Sequence, residues 1–341
     1  MKPTASSCGR GIRVIGKKQN VPKRSGYLVS KYLSKPHLLR GYKYDMRIYI
    51  VVTCFEPLKA YIFKQGLVRL ATQPYSTAKG SLKKRFIHLT NFSINKKAEN
   101  YVKNTKPLGE GESTSTAPDS NDDNEMSSKW SLEQLRAEYQ KQGISYDEVF
   151  KSIKVLCIKT LMAVEPQITT AMRATKHRNQ CFEIYGFDVI IDQKLRPWLL
   201  EVNVAPSLSS SSPYDKQVKT LLLCDTLHLV GFQIYDRKAI EDDKKKENRH
   251  RLLGFESTKK TVKATDENPT EQASAKKEAP SPSKFNKGGA VPSFLDGFQN
   301  LTEDDMEILA EFEEEQQRKG HFETLFPTRE TIDTLGPYFD S

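Results

Sequence analysis

The chain has 341 residues, 37% of them hydrophobic, and five scattered cysteines without CxxC or close Cys/His spacing. That leaves material for one large domain or two medium ones diluted by polar segments, and argues against a disulfide framework or structural zinc. Charge is uneven: the whole chain is +10, yet residues 1–104 hold 22 Lys and Arg against Asp45, Glu56 and Glu99, so this block is +19 and the remainder −9. With no run of about 18 apolar residues and no apolar N-terminal stretch, neither a membrane-spanning helix nor a signal peptide is expected.

In chain order, residues 11–15 and 27–33 read as short strands bounded by Gly, Pro and Ser. Residues 46–53 form a β-branched run of the buried-strand type. Segments 58–63 and 67–71 flank Lys64-Gln65-Gly66, which has a hairpin-turn composition. Residues 105–128 are rich in Ser, Thr, Asp, Asn and Gly and predict a flexible loop. Ser131, followed by Glu133 and by Leu132, Leu135 and Tyr139, predicts a capped helix. Apolar residues recur at helical spacing over 146–172. Strands are predicted at 182–192 and 197–203 around an Asp192-Gln193-Lys194 turn, and a helix at 215–230. The next stretch, 237–260, is base-rich. Residues 257–292 have the composition of disorder, and 302–317 predict an acidic helix with a Thr302/Asp305 cap. This divides the chain into a main block, 1–235, a base-rich linker, 236–300, and a C-terminal helix and tail, 301–341.

Three groups of residues carry candidate chemistry. Glu201 and Asn203 are two apart on one strand and share a face, and the Asp192 turn brings Asp188 opposite them. Three oxygen donors converging in apolar strands suit magnesium, a hard cation; pairing with lysines is the alternative. Lys2-Pro3 and the Gly9-Arg10-Gly11 turn have the makings of a phosphate cradle, though a surface turn has the same composition. Lys43, Arg47 and Arg69 stand at strand positions, where arginine forks bind carboxylate or phosphate; partnership with Asp45 or Glu56 is the alternative. His88 reads as a structural, hydrogen-bonded residue.

The order and wording of several motifs resemble the tubulin-tyrosine-ligase-like family over residues 2–235, and more weakly over 302–330. They are Lys2-Pro3 with Gly9-Arg10-Gly11-Ile12, Lys43-Tyr44-Asp45-Met46-Arg47, Gly66-Leu67-Val68-Arg69, His88-Leu89-Thr90-Asn91-Phe92-Ser93, Lys129-Trp130-Ser131, Gly186-Phe187-Asp188, and Leu200-Glu201-Val202-Asn203 with Pro206-Ser207. Within that family the polyglutamylases are most similar. The resemblance implies an α+β ATP-grasp fold and ATP-dependent ligation of glutamate to acidic tubulin tails through an acyl phosphate. Lys2, Cys8, Gly9, Ser30, Lys31, Tyr32, Leu33, Lys43, Tyr44, Asp45, Thr90 and Asn91 are then expected around ATP. Asp188, Glu201 and Asn203 are expected to hold Mg2+, Phe92, Ser93 and Lys129 to border the glutamate, and Arg69 to meet its carboxylate. Arg47, Arg69 and Glu201 are the expected catalytic residues.

Departures from the family pattern are Cys8, where many relatives have Arg, and Ala205 in place of a common Ser. Met1 falls where the family is in mid-core, so an N-terminal domain is expected to be missing. Val204 beside Asn203 leans toward branch initiation by analogy. The implied partners are tubulin or microtubules and L-glutamate, with 237–260 resembling a cationic microtubule-gripping region. Neither membrane nor nucleic acid is an expected partner, and a monomer in the cytoplasm, cytoskeleton or cilium is implied. Competing expectations are a catalytically silent tubulin-binding protein and a ligase for glycine or tyrosine.

Overall fold

The β-branched run at residues 46–53 is the middle of a 14-residue strand whose side-chain alternation organises what surrounds it. The computed structural model describes residues 1–6, 9–16, 21, 25–102, 127–172, 181–231, 245–246, 249 and 302–335. In chain order these form β1 (Lys2–Pro3), β2 (Tyr27–Leu28), β3 (Leu38–Leu39), β4 (Tyr42–Phe55), β5 (Leu58–Leu70), α1 (Arg85–His88), α2 (Phe92–Asn95), β6 (Lys129–Ser131), α3 (Leu132–Lys141), α4 (Tyr146–Met162), α5 (Glu165–Met172), β7 (Glu183–Ile191), β8 (Pro197–Val204), α6 (Pro213–Val230), α7 (Glu303–Arg318), β9 (Phe322–Phe326) and α8 (Arg329–Leu335). Seven strands make one antiparallel sheet in the order β6-β5-β4-β7-β8, with β3 beside β4 and β9 beside β5; β1 and β2 pair separately. Among the described residues no helix is long and apolar enough to cross a membrane.

Successive strand side chains point to opposite faces. On β4, Tyr44, Met46, Ile48, Ile50 and Val52 turn to one face and share a buried cluster with Leu135 and Tyr139 of α3 and Val149, Ile153, Cys157 and Leu161 of α4. Tyr49 and Val51 turn to the other, against Tyr214, Val218 and Leu222 of α6 and Phe322 of β9. Each large apolar side chain so buried contributes roughly 1.5–3 kcal/mol. Asp45 and Arg47 share this second face with Tyr49 but belong to neither apolar cluster.

Several local expectations are corrected. No hairpin forms at Lys64-Gln65-Gly66: β5 runs through it, and Glu56-Pro57 turns β4 into β5. The pairing jumps from Ile48 opposite Gly66 to Ile50 opposite Ile62, so the extra residues bulge against Tyr49. Glycine is needed at 66 for close approach, since a Cβ there would lie 2.7 Å from the Arg47 carbonyl oxygen. Residues 11–15 form no strand, and only Tyr27–Leu28 of the 27–33 run does, because β1 offers just two residues to pair with. The long helix over 146–172 is two helices; Pro166, which has no N–H to donate, stands in the first turn of the second. The Ser131 cap forms with Gln134 rather than Glu133: Ser131 Oγ accepts from Gln134 N at 2.9 Å, and Gln134 Oε1 accepts from Ser131 N at 2.8 Å. The β7–β8 turn forms as expected, with Asp192 Oδ1 accepting from the N–H groups of Lys194 (2.8 Å) and Arg196 (3.0 Å). Most of the predicted 105–128 loop, and the 257–292 segment, lie outside the described residues.

The chain divides into two compact units, Met1–Gly231 with Glu311–Ser341, and Phe232–Ala310. Of the second, the described part is chiefly the start of α7, capped as expected: Asp305 N donates to Thr302 Oγ1 at 3.2 Å. In the first, β9 pairs with β5 over Ala60–Phe63, on the same edge that β6 occupies over Leu67–Arg69. Glu315 Oε2 accepts from Tyr61 Oη at 2.5 Å and Thr53 Oγ1 at 3.1 Å, while its Oε1 meets Lys59 Nζ at 2.9 Å.

Candidate active site

Five strands carry charged side chains at matching register on the second face of the sheet. Lys129 of β6 lies opposite Arg69 of β5, which lies opposite Asp45 of β4. Two residues along β4, Arg47 lies opposite Asp188 of β7, and Asp188 opposite Glu201 of β8. The side chains join across the strands. Arg47 donates from Nε to Asp188 Oδ1 (2.5 Å) and from Nη2 to Oδ2 (3.0 Å). Arg69 Nη2 reaches Asp45 and also Asp188 Oδ2 (2.8 Å), while its Nε donates to Asp45 Oδ1 (3.1 Å). Gly186 makes room for this: a Cβ there would lie 3.1 Å from Arg47 Cδ and 3.0 Å from Pro206 Cβ.

The two facing carboxyls of the row, Asp188 and Glu201, shift in opposite directions. Burial pushes Asp188 up, but the charge of Arg69 and the hydrogen bonds from Arg47 outweigh it and hold Asp188 below the ordinary carboxylate range. Glu201 opens to solvent, yet partial burial and the neighbouring Asp188 raise its pKa, opposed by Lys2 and Arg69. Asn203, opposite Gly186, donates from Nδ2 to the Gly186 carbonyl at 3.1 Å. Lys2 Nζ donates to the Leu200 carbonyl at 3.3 Å, beside Glu201.

Two basic flanks border the row. On one, Lys129 Nζ donates to Ser211 Oγ (2.7 Å) and Asp215 Oδ2 (3.1 Å) and lies 4.2 Å from the centre of the Phe92 ring. Lys219 Nζ meets the other Asp215 oxygen at 2.9 Å. Burial raises the Asp215 carboxyl, and the two lysines outweigh it. On the other flank, Lys43 Nζ donates to the His88 carbonyl (2.9 Å) and Tyr32 Oη (3.3 Å). Burial lowers Lys43 to about 8, with Asp45 opposing and Lys2 adding. Tyr32 Oη bonds His88 Nδ1 (2.9 Å), and His88 Nε2 faces the Ser81 carbonyl (3.1 Å). A neutral ring protonated on Nε2 satisfies both, so His88 is the structural residue that was expected.

A profile of the tubulin-tyrosine ligase family matches residues 1–240. The chain belongs to the tubulin-tyrosine ligase family. It is 37% identical over 333 residues to the tubulin monoglutamylase TTLL4 of Mus musculus, which covers 96% of this chain and 26% of that relative. The tubulin polyglutamylase TTLL5 of Mus musculus is 33% identical over 344 residues (100% of this chain, 24% of the relative). The tubulin polyglutamylase ttll-4 of Caenorhabditis elegans is 31% identical over 340 residues (97% and 49%). The chain thus spans about a quarter of the length of the first two relatives and about half of the third.

Against this family background, Lys2, Tyr32, Lys43, Asp45, Arg47, Arg69, Phe92, Lys129, Asp188, Glu201 and Asn203 fall on or around one sheet face. Tyr44 does not: strand alternation turns it to the opposite face, where its hydroxyl bonds Tyr139 and His37 Nδ1 (3.1 Å). Thr90 is buried, and Asn91 caps α2 through its carbonyl, 3.1 Å from Ile94 N. Ser30 and Lys31 are exposed and Leu33 half-buried on the irregular segment after β2; Cys8 lies outside the described residues. Asp215, Ser211 and Lys219 were not singled out. Their signal was a lone acid three residues after the Ser212 N-cap, where Asp215 N donates to Ser212 Oγ at 3.2 Å.

The donor set fits a hard divalent cation. Of two facing carboxyls, Glu201 has its pKa raised by burial and then by Asp188, so added positive charge would favour its ionised form, and the Asn203 bond to Gly186 uses its nitrogen and not its oxygen. Among the described residues no three His, Cys, Asp or Glu side chains come together as a metal site, so a cation here would meet two carboxyls, with the Asn203 oxygen as a further donor. Asp188 would share its oxygens with Arg47 and Arg69.

Proposed function

We propose that this chain carries the catalytic core of an ATP-grasp ligase that adds L-glutamate to glutamate side chains in tubulin C-terminal tails. The observation that carries the reading is the cross-sheet row, with Lys129, Arg69, Arg47, Asp188 and Glu201 on one face, in a member of a ligase family 31–37% identical to proteins named as tubulin glutamylases. ATP is a substrate here. Its γ-phosphate passes to the acceptor carboxylate, giving an acyl phosphate and ADP. The α-amino group of glutamate then attacks that carbonyl, forming the amide and releasing inorganic phosphate and a proton.

Phosphoryl transfer depends mainly on positioning and charge neutralisation, and this chain's residues suit both tasks. Lys2, Lys43 and the Gly9 turn serve the phosphates, with Ser30–Leu33, Thr90 and Asn91 along the nucleotide. Asp188, Glu201 and Asn203 hold Mg2+, which when bound neutralises charge on the phosphate oxygens. Arg69 already donates from Nε and Nη2 to aspartates, leaving Nη1 for the glutamate carboxylate, with Phe92, Ser93 and Lys129 alongside. Arg47 keeps Asp188 oriented and ionised.

The test is incorporation of labelled glutamate into microtubules by the full chain with ATP and magnesium. The expected result is label on tubulin tails, reduced about a hundredfold, or about 3 kcal/mol, in Glu201→Gln. Microtubule binding by the unsubstituted chain without incorporation would replace the ligase with a silent binding protein. Uptake of labelled glycine or tyrosine instead would reassign the amino acid.

A further inference from the structure

A cavity of about 840 Å³ opens beside α1 and α2, and among the described residues its charged lining is one-signed: Arg10, Lys83, Lys84, Arg85, Lys96 and Lys97, with no carboxylate. Lys83, Lys84, Lys96 and Lys97 are exposed. Arg85 Nη2 donates to the Gly9 carbonyl at 3.1 Å, and Lys96 Nζ lies 5.5 Å from the Phe92 ring centre. Among the described residues Arg10, Lys83, Lys84 and Lys97 make no ion pair. Six cations around one hollow repel one another, and an anionic occupant would relieve that.

We infer that this cavity is a subsite for an acidic peptide, holding carboxylates of the acceptor tail that lie some residues away from the one modified; this rests on the acidic-acceptor reading above. Position supports it. Ser93 lines the cavity, and the adjacent Phe92 packs under Lys129 of the cross-sheet row. An extended peptide advances about 3.3 Å per residue and turns every second side chain to one side, so an acidic tail laid along the cavity presents carboxylates to it about 6.6 Å apart. Chemistry supports it too. Four of the six cations are lysines, mobile point charges on long stems, which tolerate carboxylates in varied register. Among the described residues Phe86 is the sole aromatic side chain of the lining, which there offers no platform for a run of stacked bases.

The experiment measures fluorescence anisotropy of a labelled Glu-rich dodecapeptide, its Gln counterpart and a single-stranded RNA of equal charge, each with the full chain. The comparison is with Lys83→Ala/Lys84→Ala/Lys97→Ala. The acidic peptide is expected to bind about tenfold more weakly to the triple variant, as loss of three exposed ion pairs implies. Affinity for ATP and the thermal midpoint should not change, and the corresponding triple Lys→Arg variant should retain peptide binding. In ligation, KM for the acceptor should rise while kcat and KM for glutamate hold. Equal peptide binding by both chains, equal binding of the Gln peptide, or a loss confined to RNA or ATP would each overturn the subsite. Anisotropy needs no turnover, so failure of the unsubstituted chain to incorporate glutamate is a separate result that sinks the ligase reading and leaves the peptide measurement standing.

Discussion

At the residue scale, Lys43 ties the fold to the proposed nucleotide site. Burial lowers its pKa from 10.5 to about 8, against the pull of Asp45. Below that pH it is an ammonium ready for phosphate; above it, a neutral amine. ATP affinity is therefore expected to fall as pH rises through about 8. The contribution of Lys43 to stability runs the other way. Between about 8 and 10.5 the unfolded chain holds a proton that the folded chain has released, so this contribution grows with pH across that window. Titration calorimetry with ATP and thermal melts without it, each across the window, check both signs. Lys43→Met should flatten both profiles, and an unchanged ATP profile in that variant would remove Lys43 from the nucleotide site. Facing carboxyls at 188 and 201 were legible only in part: the Asp192 turn alone would set Asp188 opposite Leu200, and a register shift between Asp188 and Val189, unmarked in the sequence, brings Glu201 there. Tyr44 was misread because a contiguous motif says nothing of strand alternation, which sends every second side chain to the far face.

Elements whose formation depends on near neighbours could be read from the chain, and those held by distant contacts could not. The capped α3 and the β7–β8 hairpin belong to the first kind. The unbroken β5 belongs to the second: Gly66 looks like a turn residue, but its lack of a side chain answers to the Arg47 carbonyl on the neighbouring strand. The docking of α7 is more distant still. Glu315 sits 7% exposed against Thr53, Tyr61 and Lys59, partners about 250 residues earlier, and nothing local marks it as buried. Glu315→Ala would leave two hydroxyls short of an acceptor and Lys59, itself buried, with only Glu311 at 3.4 Å. Removing one partner from such a cluster costs about 3 kcal/mol or more, so the urea midpoint should fall with little change in slope. Glu315→Gln, which keeps an acceptor for Tyr61, should fall between. If Glu315→Ala stays within about 0.5 kcal/mol of the unsubstituted chain, apolar contacts such as Phe322 in the second cluster hold the segment and the ion cluster does not.

Across the whole molecule, charge works at two ranges, and salt separates them. The buried ion pairs of the cross-sheet row are in direct hydrogen-bonding contact and little exposed to water, so mobile ions screen them weakly. The +19 excess of residues 1–104 is spread over a block that includes the exposed lysines of the cavity. Its field acts through solvent, where the Debye length shrinks from about 14 Å at 50 mM salt to about 7 Å at 200 mM. Capture of an acidic acceptor should therefore weaken about tenfold or more over that range, seen as a rising KM for microtubules. The thermal midpoint, and kcat at saturating acceptor, should move little. A kcat that falls in step with acceptor affinity would mean that the row itself is open to solvent ions, and that the division between a screened capture surface and a sheltered reaction site is wrong.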